Sequence, residues 1–384
     1  MRFEFATATR ILFGPGTLNE VAALASGLGK RAFVVSDGGS DRAAPLLKQL
    51  ANEGIETALF DVSGEPTTAM ALEGVKRARE ANSDLVISVG GGSVIDTGKA
   101  VAALLTNGGE PLDYLEVIGK GRPITQASAP FIAIPTTAGT GAEVTRNAVL
   151  ASKEHGVKVS LRSPLMLPRA AVVDPVLTHS MPPAVTASTG LDALTQVMEP
   201  YVSRQANPLT DAFCREGLAR AGRSLQQAYE NGSDAAARED MALASLLGGL
   251  ALANAKLGAV HGFAGVIGGM YPAPHGVICA RLLPFVMETN VQALQARAPG
   301  SVALARYSDI SQILTGDVNA ALEEGVQWVQ NLCRQLDVPG LSAFGVVRAD
   351  FPDIVAKSQI ASSMKGNPIE LTADELAHIL EQAL

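Results

Sequence analysis

The first half of the chain alternates short apolar runs with amphipathic stretches. Apolar runs typical of buried strands cover residues 31–36, 55–60, 84–89 and 131–134. Between the second and third of these runs, Leu72, Val75 and Ala78 recur at helical spacing, which predicts a helix over 69–82. Because strands alternate with helices in this way, the pattern predicts a parallel sheet with helices packed on it.

The pattern changes at about residue 180, where the sequence Ser-Met-Pro-Pro interrupts it. Beyond this point strand signals nearly vanish, and Ala- and Leu-rich helical periodicity covers residues 183–201, 208–229, 234–255 and 318–336. The sequence therefore predicts two domains. An α/β N-terminal domain with a Rossmann-like parallel sheet occupies residues 1–180, and an all-helical C-terminal domain occupies residues 181–384.

Composition narrows the classes of function. Hydrophobic residues make up 47% of the chain and aromatic residues only 4%, so the core is built mainly from Ala, Val, Leu and Ile. A net charge of −8 offers no basic stripe, and we expect no nucleic-acid partner. The three cysteines are far apart, which predicts reduced thiols in a cytoplasmic protein. We expect no apolar run long enough to span a membrane and no signal peptide.

A glycine-rich turn follows the third predicted strand. Gly90, Gly91, Gly92 and Ser93 precede an apolar stretch with the pattern of a helix. Glycines let backbone amides approach a pyrophosphate, and the N-terminus of a helix adds a positive dipole end. Ile95 stands where the usual dinucleotide fingerprint has its third glycine, so a tight turn without a ligand is the alternative.

A second glycine-rich turn and an early carboxylate strengthen the case for a dinucleotide. Thr136 and Thr137 follow the strand that ends at Pro135, and their hydroxyls suit a ribose or a pyrophosphate. Asp37 follows the first predicted strand, where a carboxylate accepts hydrogen bonds from the adenosine ribose and repels a 2′-phosphate. This favours NAD over NADP. An Asx-turn or a helix N-cap is the competing interpretation of Asp37.

Asp192, His261 and His275 are the candidate metal ligands. Both histidines lie in stretches with few other polar side chains, where a buried imidazole needs a partner. A carboxylate and two imidazoles suit a divalent metal with an open coordination position. Gln196 shares a helical face with Asp192, so its amide oxygen is a further candidate ligand, although weaker than imidazole. Structural core histidines are the competing interpretation.

Short motifs follow one another in order along nearly the whole chain: FGPGT at 13–17, GGGSVIDTGKA at 90–100, IPTTAGTGAEVT at 134–145, VVDP at 172–175, TGLDALT at 189–195, and the paired HG and PHG of the two candidate histidines. Together they resemble the iron-dependent, or group III, alcohol dehydrogenases. The resemblance implies a two-domain architecture of the kind also found in dehydroquinate synthase. It also implies NAD(P) and a divalent metal in the cleft between the domains.

The resemblance also assigns roles to individual residues. It makes Asp192, His261 and His275 ligands of iron or zinc. It places within cofactor-binding motifs Gly90, Gly91, Gly92, Ser93, Asp96, Thr136 and Thr137, with Asp37 at the ribose-discriminating position and Lys158 reaching the cofactor. The implied reaction is interconversion of a small alcohol and an aldehyde or ketone by metal-assisted hydride transfer, and the implied assembly is a homodimer.

Two departures from the family pattern leave alternatives open. The family's DALTH and HGLAH are DALTQ and HGFAG here, so Gln196 and Gly265 replace two histidines. We expect weaker metal binding as a result, and a pocket altered for a different substrate. The alternatives are a metal-independent reductase, a non-redox cyclase or lyase that keeps its NAD bound, and a nucleotide-binding protein that has lost catalysis.

Overall fold

The computed structural model describes residues 2–384, apart from the side chains of residues 39–42. The strands are β1 Ile11–Phe13, β2 Arg31–Ser36, β3 Glu56–Asp61, β4 Leu85–Gly90, β5 Phe131–Pro135, β6 Asn147–Ser152, β7 Val157–Arg162 and β8 Ala170–Val173. The helices are α1 Val21–Ser26, α2 Gly39–Asn52, α3 Thr68–Glu80, α4 Gly92–Asn107, α5 Pro111–Tyr114, α6 Pro183–Val202, α7 Pro208–Glu230, α8 Ala235–Ala255, α9 Ala259–Met270, α10 His275–Arg297, α11 Val302–Thr315, α12 Leu322–Gln335, α13 Phe351–Ile360 and α14 Ala373–Ala383.

The chain forms two compact units. The α/β unit comprises Ala6–Thr137 and Gly141–Thr178. The helical unit comprises the segment that ends at Phe5, the short segment Ala138–Thr140, and His179–Leu384. The main division thus falls between residues 178 and 179, where the sequence pattern places a boundary at 180 and 181. The pattern gives no sign that residues 138–140 belong with the helices.

The α/β unit is built on a parallel sheet, which confirms the predicted fold class. Its strand order is β1-β8-β5-β4-β2-β3, and each neighbouring pair is parallel. Strand β3 lies on one side of β2 and β4 lies on the other, so the direction of winding reverses between β2 and β4. Ligands of such sheets bind at the carboxyl ends of the strands beside this reversal. The sequence pattern misses β1, β8 and the antiparallel hairpin of β6 and β7.

Helices cover both faces of this sheet. On β2, Ala32 and Val34 pack in one core with α1 and α2, whereas Phe33 and Val35 pack in another with α3 and α4. Helix α4 approaches β4 closely at Gly98, where a Cβ would overlap the side chain of Ser88. Gly98 therefore allows the tight helix–strand packing that the third glycine of the usual fingerprint provides.

The helical unit confirms the predicted all-helical C-terminal region, and its core forms around α6 and α10. Helix α10 is long and apolar enough to cross a membrane, with a mean hydropathy of 1.2, which corrects the expectation that no run reaches that length. The bent pair α8 and α9 passes the same test only when taken together. Neither Arg281 nor Pro284 ends α10, and 72% of its apolar stretch is buried within the protein, as in a core helix.

A buried lysine ties α4 to the segment after β5. The ammonium of Lys99 donates hydrogen bonds at 2.7 to 2.9 Å to the Ala142 carbonyl, the Thr145 hydroxyl and the Asn147 carbonyl. It also lies 3.6 Å from the carboxylate of Asp96. Burial lowers the pKa of Lys99 and raises that of Asp96, while their mutual attraction opposes both shifts. With its three protons paired, the lysine is stably buried.

Glu143 lies in the same segment and gives a test of this buried cluster. Burial raises its pKa from 4.5 to about 7, although the charge of Lys99 opposes the shift. The native state therefore holds a proton that the unfolded chain releases, so this residue's contribution to stability falls as the pH rises from about 4.5 to 7. The free energy of unfolding of Glu143→Gln minus that of the parent should therefore rise by about 2–3 kcal/mol between pH 5 and pH 8.

Urea unfolding of Glu143→Gln and the parent at the two pH values measures this gain. The exposed Glu73 on α3 provides the matched control, Glu73→Gln. The same difference between Glu143→Gln and the parent at both pH values would contradict the prediction.

Candidate active site

Four side chains of the helical unit converge on one point. The ligand atoms of Asp192, His261, His275 and Cys279 all lie within 4.8 Å of one another. Asp192 Oδ1 lies 3.3 Å from His261 Nε2 and 3.9 Å from His275 Nε2. No second group of this kind occurs among the side chains that the structure describes. The structure thus brings together the three predicted ligands and adds a thiol that the sequence analysis does not include.

Three helices deliver these side chains. Asp192 lies in the middle of α6, His261 lies in the first turn of α9, and α10 begins with His275 and presents Cys279 one turn later. Gly276 lets α10 begin close to α6, because a Cβ at this position would lie 2.5 Å from the Ser188 carbonyl oxygen. The i, i+4 spacing places the two α10 ligands on one face of the helix.

Glu199 of α6 fixes the orientation of His261. Its carboxylate accepts hydrogen bonds at 2.7 Å from His261 Nδ1 and from the Val260 amide. Asn367 accepts a hydrogen bond from the Ala259 amide at 3.1 Å, so two side chains cap the first turn of α9. With Nδ1 engaged, His261 presents Nε2 to the cluster. A carboxylate behind a histidine in this way orients a metal ligand and raises its basicity.

The cluster fits a divalent metal ion. Asp192 Oδ1 is buried and has no hydrogen-bond partner of acceptable geometry, an arrangement that is costly without a cation. Around a tetrahedral zinc ion, two nitrogen or oxygen ligands lie about 3.3 Å apart, and a sulfur lies about 3.6 Å from a nitrogen. The Asp192–His261 distance of 3.3 Å and the Cys279–His275 distance of 3.6 Å match these separations.

The charges in the cluster favour a bound cation. Burial raises the pKa of Asp192, but His261 and His275 more than offset this, so that the pKa is lowered. Burial lowers the pKa of each imidazole, but Cys279 and Asp192 outweigh it, and both pKa values are raised. These shifts show that the carboxylate and the imidazoles attract one another, and a divalent ion would supply positive charge at the same point.

The cluster is most accessible on the side of His275. The side chain of His275 is 35% exposed, against 7% for His261 and 2% for Asp192. One turn after His261 on α9, a Cβ at Gly265 would meet no atom within 4 Å. Gly265 therefore has open space beside it, and the expectation of an altered pocket stays a prediction.

Gln196 is engaged with the backbone. It is buried, and its Nε2 donates a hydrogen bond to the Gly139 carbonyl at 2.8 Å. Gly139 also packs so tightly on α6 that a Cβ would lie 2.7 Å from the Cβ of Thr189. The amide thus holds residues 138–140 to the helical unit, and a ligand role for its oxygen stays a prediction.

The predicted cofactor residues of the α/β unit meet at the carboxyl ends of three adjacent strands. Asp37 follows β2, the turn from Gly90 to Ser93 follows β4, and the two threonines Thr136 and Thr137 follow β5. Asp37 and the glycine-rich turn therefore flank the reversal of winding, where nucleotides bind in sheets of this type.

Contacts join these three turns. The Gly91 amide donates a long hydrogen bond, 3.4 Å, to Asp37 Oδ2, and the Thr136 amide donates to the Gly90 carbonyl at 3.0 Å. A Cβ at Gly91 would lie 3.4 Å from the Thr137 side chain. In the described structure no side chain caps α4, so the amides of its first turn suit a phosphate.

Asp96 and Lys158 have protein partners. Asp96 accepts a hydrogen bond from the Val149 amide at 3.0 Å, in addition to its contact with the buried lysine of α4. The ammonium of Lys158 lies 3.1 Å from the Glu65 carboxylate. Asp96 thus secures β6 against α4, and Lys158 pairs with the loop after β3. Their predicted roles toward a cofactor stay predictions.

Sequence reasoning missed Glu199 and Cys279, although helical spacing carried a signal for each. Glu199 lies seven residues after Asp192, and Cys279 lies four residues after His275, so each shares a helical face with a predicted ligand. Extending the search for ligands along these faces would have found both.

Glu199→Gln tests the support of His261. The amide removes the negative charge behind the imidazole and accepts hydrogen bonds with only one of its two side-chain atoms. We expect affinity for zinc to fall about 10–100-fold while the fold is kept. Competition with a chromogenic chelator measures the affinity, and Glu216→Gln on the exposed face of α7 is the control. Equal zinc affinity in the two variants would contradict this role.

Comparisons with known proteins give the family of this chain. The family described as iron-containing alcohol dehydrogenase matches residues 8–175, and its C-terminal family matches residues 186–384. Alcohol dehydrogenase 4 of Saccharomyces cerevisiae is 37% identical, over 97% of this chain and 96% of its own length. NAD-dependent methanol dehydrogenase of Bacillus methanolicus is 31% identical, over 97% of each chain. The crystal structure of a 1,3-propanediol oxidoreductase matches with a TM-score of 0.92 and 35% identity, over 100% of both chains. The chain belongs to the family of iron-containing alcohol dehydrogenases.

Proposed function

We propose that this alcohol dehydrogenase interconverts a small alcohol and its aldehyde or ketone with NAD(H), assisted by a divalent metal ion. The proposal rests on one observation. His261 and His275 converge on Asp192, whose buried Oδ1 has no hydrogen-bond partner. Hydride transfer needs a nicotinamide and a polarised substrate oxygen. The turns of the α/β unit and the cluster of the helical unit suit these two needs.

The protein residues prepare the site for this chemistry. A divalent ion held by Asp192, His261 and His275 would supply Lewis acidity toward an alcohol or carbonyl oxygen. Asp192 contributes a buried negative charge that favours the cation. Glu199 keeps His261 Nε2 directed at the cluster through the 2.7 Å hydrogen bond to Nδ1. The exposed side of His275 leaves room for a substrate to approach.

The residues around the sheet reversal favour NAD as the cofactor. The amides at the start of α4 and the hydroxyls of Thr136 and Thr137 suit a pyrophosphate. Asp37 places a carboxylate beside the glycine-rich turn, where it accepts hydrogen bonds from a ribose and repels a 2′-phosphate. The relative from Bacillus methanolicus is named as NAD-dependent, in agreement with this preference.

The alternatives from the sequence analysis differ in measurable ways. A cyclase or lyase that recycles its NAD forms product without net change in NADH. A metal-independent reductase turns over without bound metal, and a protein that has lost catalysis turns over no substrate. The persistence of the three ligands in one buried cluster favours the metal-assisted dehydrogenase over all of these.

Metal content and NADH formation test the proposal together. We expect protein purified without chelator to hold near-stoichiometric zinc or iron and to reduce NAD with small primary alcohols. Asp192→Asn keeps the shape but removes the charge, so metal content and turnover should both fall at least about 100-fold. Elemental analysis and absorbance of NADH measure the two, with circular dichroism to check folding. Turnover that is independent of metal, or no net NADH change, would overturn the proposal.

Asp37→Asn tests cofactor selectivity. The amide keeps a hydrogen-bond acceptor for Gly91 and the ribose but no longer repels a phosphate. We expect the ratio of kcat/KM for NADH to that for NADPH to fall about 10-fold, equivalent to about 1.4 kcal/mol. Asp61→Asn at the end of the edge strand β3 is the matched control. An unchanged ratio in Asp37→Asn would show that another group sets the preference.

A further inference from the structure

We propose that Cys279 is a protein ligand of the metal and, through its thiolate, supplies a fourth protein donor, so that the substrate oxygen reaches the ion as a fifth ligand. The inference rests on the proposed metal site and deepens it. It changes the ligand set from a carboxylate and two imidazoles to a carboxylate, two imidazoles and a thiolate.

The position of the sulfur carries the proposal. Cys279 Sγ lies 3.6 Å from His275 Nε2 and 3.9 Å from His261 Nε2. It is also within 4.8 Å of the Asp192 carboxylate. These separations are close to those around a tetrahedral ion, for which a sulfur and a nitrogen lie about 3.6 Å apart. The sulfur therefore faces the same point as the other three donors.

The other two cysteines show how an ordinary buried thiol behaves in this chain. Cys214 lies in the apolar core, and Cys333 donates a weak hydrogen bond to the Ala280 carbonyl at 3.4 Å. Either arrangement is typical of a cysteine used as a small apolar side chain. Cys279 is as buried as Cys214, yet its sulfur faces two imidazole nitrogens.

A divalent ion also makes a thiolate tolerable in this position. Asp192 and Cys279 are 2% and 0% exposed, so a thiolate without a cation beside it would be poorly solvated. The ion offsets the charges of the thiolate and of the Asp192 carboxylate, while the Glu199 carboxylate keeps its hydrogen bonds to His261 and Val260. On binding, the Cys279 thiol gives up its proton to solvent and the sulfur donates its electron pair to the metal.

The thiolate also influences which metal is bound. Soft sulfur ligands favour zinc over the harder iron(II) ion. We therefore infer that this member of the family binds zinc in preference to iron, and that removal of the sulfur lowers that preference.

X-ray absorption at the zinc edge tests the inference on the full-length parent protein loaded with zinc alone. We expect one sulfur at about 2.3 Å in addition to nitrogen and oxygen ligands at about 2.0–2.1 Å. A shell of nitrogen and oxygen only would overturn the role of Cys279 and leave the proposed function standing. Failure to take up zinc, iron(II) or cobalt(II) would overturn both.

Cobalt(II) substitution gives a second readout that does not depend on activity. We expect the cobalt-loaded parent to show a thiolate-to-metal charge-transfer absorption that Cys279→Ala loses and Cys214→Ala keeps. Removal of a group that only orients a metal ligand lowers affinity about 10–100-fold. The zinc affinity of Cys279→Ala should fall by more than this. Retention of the absorption or of the full affinity in folded Cys279→Ala would overturn the inference. If this variant does not fold, the X-ray absorption spectrum of the zinc-loaded parent decides alone.

Discussion

The candidate metal site depends on one buried negative charge. Asp192 lies in the middle of α6 with an oxygen that has no hydrogen-bond partner, in surroundings where an uncompensated charge is strongly unfavourable. The cost is relieved only if positive charge is brought to that oxygen. The first turns of α9 and α10 both deliver an imidazole to it, which explains why three helices separated along the chain meet at one point.

The contacts of Glu199 hold His261 in the orientation that this site needs. An imidazole positions a metal only if its ring cannot rotate, and Glu199 removes that freedom by bonding His261 Nδ1 and the Val260 amide together. At Gly258, which precedes α9, a Cβ would lie 2.9 Å from the Glu199 carboxylate, so a larger residue would displace that carboxylate. The Glu199 carboxylate thus helps to cap α9, orients His261 and favours glycine at position 258.

The sequence predicts the α/β unit better than the cluster of the helical unit, and the reason is physical. Nucleotide-binding turns such as Gly90–Ser93 are contiguous and follow a strand, so local pattern locates them. The order of the strands, which brings Asp37 beside Gly91, depends on packing between distant segments and is not encoded locally. The candidate metal ligands come from three helices that are separate along the chain, so residue type and apolar surroundings suggested the set but local pattern could not show that they meet. Cys279 carried only the weak signal of its spacing from His275, and the structure places its sulfur beside the other three side chains.

The proposed ligand set would place two donors one turn apart on one helix. His275 and Cys279 both lie at the start of α10, and Cys279 Sγ lies 3.6 Å from His275 Nε2. Gln196 of α6 instead holds Gly139 through its side-chain nitrogen. A metal held in this way would take two of its protein ligands from the first turns of α10, so Gly276, which lets that helix begin close to α6, would support the site as well.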